Sequence, residues 1–453
     1  MVFALFLFFS LTGSVLFLSG KRTFSMFIFF FFVTLGFQLI PLEVLETAEI
    51  KDFAILQGTI IFFGLLLKER SEILAKKSRV DLWLLCFWLT LFVIWIVNLT
   101  ILKIPLFSTI TTGRIFLFLT AFYFFRKLTE QEIRSIKQIL LFVTIIQCFL
   151  FICQIVLGEQ ILNGFYGGGK VSFAGFKIPR GYNIPYLLPY FLFQVFFTDL
   201  AKGRFKIFLQ ALFFLTLVLP MHRSWIASLF VVLIYGMFIK INSKEKLLKY
   251  TFIFLIVFLP VAGFFMKNLL MSSRTMDDID IVLSLSSEAI DIYEDFDVET
   301  DSENTLFYRF SHLFERIYYI SQTKTTLLFG GGWMDENSNL AKKLDFMLIT
   351  SNRETNEEYM INTPDIAWSM LFFRLGLIGI ATYMAFYITL IIFFFKRKHK
   401  QGPAIGVHLF LIFTLFTSFT SVELYTLWPL LLPALDYVLC LKKETEKYNF
   451  LTL

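Results

Sequence analysis

The sequence predicts an all-α protein: a polytopic transmembrane helical bundle of about 12–14 spans with one large extracytoplasmic loop. Three observations carry that prediction. Hydrophobic residues make up 57% of the chain, mean hydropathy is +0.71, and charged residues reach only 17%, against about a quarter in soluble globular domains. Apolar stretches long enough to cross a bilayer recur along most of the chain, and Lys and Arg collect in alternate loops between them.

A helix advances about 1.5 Å per residue, so about 20 apolar residues cover the roughly 30 Å of hydrocarbon. On that ruler the spans run from Val2 to Leu18, Phe24 to Ile40, Phe53 to Leu67, Leu82 to Leu102, Phe107 to Phe125, Ile139 to Leu157, Ile184 to Leu200, Phe205 to Leu219, Ser224 to Ile241, Tyr250 to Leu270, Ile366 to Phe395, Ala404 to Ser421 and Leu424 to Leu441. The chain therefore divides into residues 1–270, holding about ten spans; residues 271–364, a polar loop; and residues 365–453, the last spans and a tail.

Positive charge sets the orientation. Lys21-Arg22, the Lys68 to Arg79 loop, Arg126 to Lys137, Lys202 to Lys206, Lys240 to Lys249, Lys396 to Lys400 and Lys442-Lys443 fall on one side if the spans alternate. The excess of Lys and Arg in short loops marks that side as cytoplasmic, and explains the net charge of +6 without nucleic acid. Glu43 to Asp52, Gly158 to Asn183, Pro220 to Arg223 and the large loop then face outward. Lys21-Arg22 follow the first apolar run instead of preceding it, which argues against a cleaved signal peptide. All four cysteines (Cys86, Cys148, Cys153, Cys440) lie in apolar segments, so none staples the loop.

The loop has two halves. From Asp277 to Glu303 acidic residues come every few positions, the pattern of a solvated segment; Asp278-Ile279-Asp280 spells a metal-holding Asp-x-Asp there, in a run acidic enough to produce the match freely. In the second half Phe307, Phe310, Phe314 and Tyr318 recur at helical spacing while Arg309, His312 and Arg316 point elsewhere, which predicts a surface-lying amphipathic helix. Gly330-Gly331-Gly332 follows. Glycines there serve either a ligand approaching the backbone closely or a tight turn without one.

Arginines at membrane depth are costly and mark a partner or a pathway. Arg223 follows His222 at the outer mouth of its span, and Arg180 sits just before another; each suits a phosphate, or else a snorkelling or interfacial anchor. Arg374 lies about 13.5 Å beyond Asp365 along a helix and half a turn round, so it reads as a structural partner within the bundle. Arg114 is deep but has no evident context. The sequence holds no Gly-rich phosphate loop followed by Lys-Ser/Thr, no His-Glu-x-x-His, no Cys-x-x-Cys and no Gly-x-Ser-x-Gly, the usual signatures of nucleotide hydrolysis, zinc proteolysis and serine hydrolysis. A substrate handled outside without nucleotide must carry its own leaving group.

Taken in order, four segments resemble the O-antigen polymerase and O-antigen ligase superfamily. Phe176 to Leu188, with Arg180, is similar to the stretch before one of the family's helices, and Met221 to Leu229, with Arg223, to its Ser-Arg helix start. Tyr308 to Trp333, with Arg309 and the glycines, is similar to the segment in which an arginine precedes a Phe-Gly-x-Gly turn. Asn362 to Gly379, with Asp365, resembles the closing Gly-Leu-x-Gly span. Family ligases keep a His where this chain has Asp365, which favours a polymerase over a ligase.

The resemblance implies a surface-polysaccharide polymerase, of O-antigen (lipopolysaccharide) or capsule type, in the bacterial cytoplasmic membrane. A polyprenyl-pyrophosphate-linked oligosaccharide would lodge its tail in the bundle and its pyrophosphate against Arg180, Arg223 and Arg309. The acceptor hydroxyl would attack the anomeric carbon, with Asp365 or His312 taking its proton. No cofactor or metal is required on this account. The other partners implied are the bilayer and a chain-length regulator or other polysaccharide assembly proteins. The alternatives are a lipid-linked oligosaccharide flippase, which would be expected to show internal repeats, an O-antigen ligase, and a non-enzymatic scaffold.

Overall fold

In a computed structural model of the full chain, the structure describes residues 2–40, 49–73, 78–164, 170–173, 176–179, 181, 183–220, 222–240, 305–336, 338–344, 346–348, 350–351, 358–363, 365–398 and 402–451. The expected span from Tyr250 to Leu270, the acidic half of the loop with Asp278 and Asp280, and Arg180 lie outside them.

The chain is an all-α polytopic bundle. Among the described residues its helices are α1 (Val2–Leu18), α2 (Arg22–Val33), α3 (Ile50–Ile73), α4 (Arg79–Thr100), α5 (Leu106–Lys127, tightening to 3-10 geometry at Arg114–Thr120), α6 (Glu130–Leu157), α7 (Leu188–Phe197), α8 (Gly203–Val218), α9 (Arg223–Lys240), α10 (Thr305–Ser321), α11 (Lys324–Phe329), α12 (Ala367–Arg397), α13 (Ala404–Thr417), α14 (Glu423–Thr426) and α15 (Leu431–Leu451). Among the described residues six helices, α3, α4, α5, α6, α9 and α12, are long and apolar enough to cross a membrane. α1, α2, α7 and α13 are shorter and also apolar. Among the described residues strand is confined to two short antiparallel pairs in connecting segments, Lys170–Phe173 with Phe176–Pro179 and Thr350–Ser351 with Glu358–Tyr359.

Local chemistry explains several boundaries. Ser78 and Thr129 close capping boxes with Asp81 and Glu132, satisfying amides that α4 and α6 would otherwise leave orphaned at their first turns. Gly158 ends α6 in the left-handed conformation that glycine adopts without cost.

Basic segments from distant parts of the sequence meet at one end of the bundle. Arg22 pairs with Glu132, Lys127 with Glu69, Arg126 with Asp81, Lys443 with Glu130 and Arg397 with Glu444. Two pairs there are buried. Arg126 stands 2.6 Å from Asp81, which also accepts from Tyr437 at 2.6 Å, and Lys137 stands 2.7 Å from Asp436, which also accepts from Tyr190. Each carboxylate has both a cation and a hydroxyl, the condition under which a buried charge is tolerated.

At the opposite end, reached by the loop, Arg114 pairs with Asp52 at 2.7 Å and Glu49 at 3.4 Å, which supplies the context its sequence lacked. α12 and α4 run antiparallel, with Phe87 against Tyr383 at 5.2 Å between ring centroids and Ile94 against Gly379. α12 has 31 residues, more than a bilayer requires, and breaks at Gly376, whose φ is 59° and ψ −173°. From Leu377 to Arg397 it is about 21 residues long, roughly 31 Å, which alone matches the hydrocarbon thickness. Its first ten or so residues exceed what crossing requires, and Gly376 divides them from the rest. At the end of α4, Asn98, Leu102 and Ile104 surround Gly332, which lies beside this break.

Candidate functional site

α10 runs alongside the first part of α12 in the same direction. Arg309 meets Asp365 at 3.3 Å, His312 Nδ1 meets Ser369 Oγ at 2.6 Å, and the Tyr319 ring lies 5.8 Å from that of Phe373. The helix thus packs lengthwise against α12 over its whole central part. Its polarity is also turned inward. His312 and Arg316 are fully buried and Glu315 nearly so, while Phe314 is 50% and Tyr318 67% exposed.

Every buried charge on α10 has a partner. Glu315 pairs with Arg316 and accepts from the Met347 amide at 2.6 Å and the Leu348 amide at 3.3 Å. Arg316 donates to the Leu348 carbonyl at 2.8 Å and to that of Met360, and lies 3.9 Å over the Phe346 ring. These bonds draw residues 346–348 and 360 around the helix. Burial, and after it the Arg316 cation, holds the His312 imidazole well below its ordinary pKa, so it is neutral near pH 7. Its Nε2 is buried and has no hydrogen-bond partner among the described residues.

Arg309 and Asp365 are the accessible members, with side chains 18% and 36% exposed. Here a cation from within the polar loop and a carboxylate just past its end converge at the mouth of the bundle. Arg309 Nε has no hydrogen bond among the described residues, so the guanidinium keeps donor capacity beyond its carboxylate. Arg223 opens α9 at the same end. Trp225, in its first turn, packs edge-on against Phe413 of α13 at 5.7 Å, and the Ser418 and Ser421 carbonyls beyond α13 receive the Ala367 amide that starts α12. Arg180 lies outside the described residues, but its neighbour Asn183 is moored to Gln154 by bonds of 2.8 and 3.0 Å and to Gln38 through its carbonyl at 3.1 Å.

The triple glycine is packed on protein backbone. Gly330 and Gly332 have φ of 88° and 115°, and a Cβ on Gly330 would stand 2.6 Å from the Phe373 carbonyl oxygen. The break at Gly376 deprives the Phe373 and Arg374 carbonyls of helical partners. The Gly331 amide takes the first at 2.6 Å and the Trp333 indole the second at 2.9 Å, so the turn repairs the break. Trp333 then stacks on Phe116, centroids 5.4 Å apart. Arg374 is tied to the loop, not within the bundle as expected: it stands 3.5 Å from Glu336 and donates at 3.0 Å each to the Met334 carbonyl and Asn362 Oδ1.

Sequence reasoning missed Glu336, Ser369 and the buried set Gln38, Gln147, Gln154 and Asn183. Gln147 and Gln154, seven apart on an apolar helix and hence on one face, were the available signal. Glu423 was missed too; one of its carboxylate oxygens is buried with no hydrogen-bond partner among the described residues. Among the described residues no group of three or more His, Cys, Asp or Glu could hold a metal ion. In comparisons with known proteins, no family model and no curated protein matches this chain, so the family resemblance rests on the four segments quoted above.

Proposed function

We propose that this membrane protein is a surface-polysaccharide polymerase, transferring glycan from a polyprenyl-pyrophosphate-linked donor to an acceptor glycan on the outer side of a bacterial cytoplasmic membrane. The observation that carries the reading is the Arg309–Asp365 pair, half-open at 3.3 Å on the loop end of a bilayer-spanning bundle. In the resting pair the guanidinium and the carboxylate neutralise each other. An arriving diphosphate competes for Arg309 by charge-assisted, bidentate hydrogen bonds, which frees Asp365 to accept the proton of the attacking sugar hydroxyl. As the glycosidic carbon–oxygen bond breaks, charge grows on the departing diphosphate, and Arg309, with Arg223 and Arg180, stabilises it most at that moment. His312 is fully buried; we assign it the task of fixing α10 to α12 through Ser369. The glycine turn is assigned to holding the loop on α12.

The test is reconstitution of the full chain in vesicles with a lipid-pyrophosphate-linked repeat unit, reading product ladders on a gel. Asp365→Asn should lower ladder formation by about 10²–10⁴, the usual weight of a general base, and Arg309→Ala, Arg223→Ala and Arg180→Ala should each weaken it. No ladder from the wild type, or undiminished ladders in all four variants, overturns the assignment.

A further inference from the structure

We infer that the exposed aromatic face of α10 reaches the lipid headgroup layer on the loop side of the membrane at Tyr318, its deepest member. Two independent observations lead there. The first is polarity: α10 buries His312, Glu315 and Arg316 and turns Phe314 and Tyr318 outward. Facing water, exposed aromatic surface forfeits about 25 cal/mol for each Å² of apolar area. Facing the boundary between headgroups and acyl chains it is in the setting Tyr and Phe favour, rings in the apolar layer and the tyrosine hydroxyl in the wet one.

The second observation is height. The contacts of Arg309 with Asp365, His312 with Ser369 and Tyr319 with Phe373 set the level of each α10 residue against α12. Phe373 lies three residues before the break at Gly376, after which 21 residues of α12 suffice to fill the hydrocarbon; with the boundary at that break, Tyr318 stands about 6 Å above it at 1.5 Å per residue. The headgroup layer is about 5–8 Å thick on each side. Tyr318 therefore falls inside it, while Phe314, about 6 Å higher, stands just beyond it and Phe310 higher still. The exposed Lys324 follows at the start of α11, where a cation would meet lipid phosphates. The occupant of this face is the bilayer itself.

Site-directed spin labelling tests this in the full chain reconstituted in phosphatidylethanolamine–phosphatidylglycerol vesicles. Nitroxides at positions 310, 314 and 318, in a background lacking Cys86, Cys148, Cys153 and Cys440, are compared with one at Lys343, an exposed residue of the Ala341–Lys343 turn. Collision with oxygen, relative to a water-soluble nickel complex, should be several-fold higher at 318 than at 343, and should fall in the order 318, 314, 310. Water-like behaviour at 318 overturns the inference, as does exclusion of both reagents, which means protein covers the face. Because removing buried cysteines can disturb folding, benzoylphenylalanine at Tyr318 in the otherwise native chain gives a second reading. Irradiation should form phospholipid adducts there and none at Lys343; adducts with protein alone, or none, refute the placement.

Discussion

Arg374→Met should release the loop from the bundle. The guanidinium is 2% exposed and Glu336 9%, the two 3.5 Å apart. Glu336 also accepts the Ile361 and Asn362 amides at 3.1 and 2.9 Å, so one carboxylate ties the segment after Trp333 to the segment before Asp365. Methionine retains much of the arginine stem's volume but removes the cation, leaving a buried carboxylate with only two amides. Breaking one half of a buried pair costs about 3–5 kcal/mol, which at about 1.4 kcal/mol per tenfold raises the open population of the docked segment by roughly two to three and a half orders of magnitude. Hydrogen exchange read by mass spectrometry on a peptide covering residues 328–336 would report this, since the Gly331 amide is held by the Phe373 carbonyl. The double variant Arg374→Met with Glu336→Gln should recover much of the protection, because losing both charges is far cheaper than stranding one. Wild-type protection in the single variant refutes the latch, and a double variant as open as the sum of its singles refutes the coupling.

Three further outcomes follow from the same geometry. Gly376→Ala must hold alanine at φ near 59° with its Cβ against the backbone of Leu328 and Gly330, so it should destabilise loop docking by at least about 1–3 kcal/mol, read by the same exchange experiment. Asp436→Asn strands Lys137 in the bundle and should cost about 3–5 kcal/mol, lowering the thermal midpoint in detergent; an unchanged midpoint sinks that pair as a structural pin. For His312 the folded pKa is depressed below the ordinary 6.5, so its contribution is complete above 6.5 and is lost as pH falls through the interval below it, where the unfolded imidazole binds a proton the folded one refuses. Between pH 7.5 and 5.5 the wild-type midpoint should therefore drop more steeply than that of His312→Asn, which keeps a polar atom for Ser369; parallel slopes refute it.

The bundle was legible in the sequence because lipid imposes a one-dimensional rule, length against bilayer thickness, and because Lys and Arg mark one set of loops. Twelve of the expected spans coincide with described helical segments, and the basic segments meet at one end. The loop was legible only as chemistry. The spacing of Phe310, Phe314 and Tyr318 announced an amphipathic helix, but periodicity does not say which face is the inner one. That depends on partners far away in sequence, the carbonyls of Leu348 and Met360 for Arg316 and the hydroxyl of Ser369 for His312. Arg374 misled for the same reason. Its position along α12 placed it at membrane depth, yet α12 is longer than a bilayer requires, and the partners of this residue preceding Gly376 come from the loop. The glycine that breaks α12 and the glycines that fill the break are separated by more than forty residues, and neither motif alone signals the other. What joins them is an accounting of backbone groups: two carbonyls freed at Gly376 need donors, and Gly331 and Trp333 are the donors that arrive.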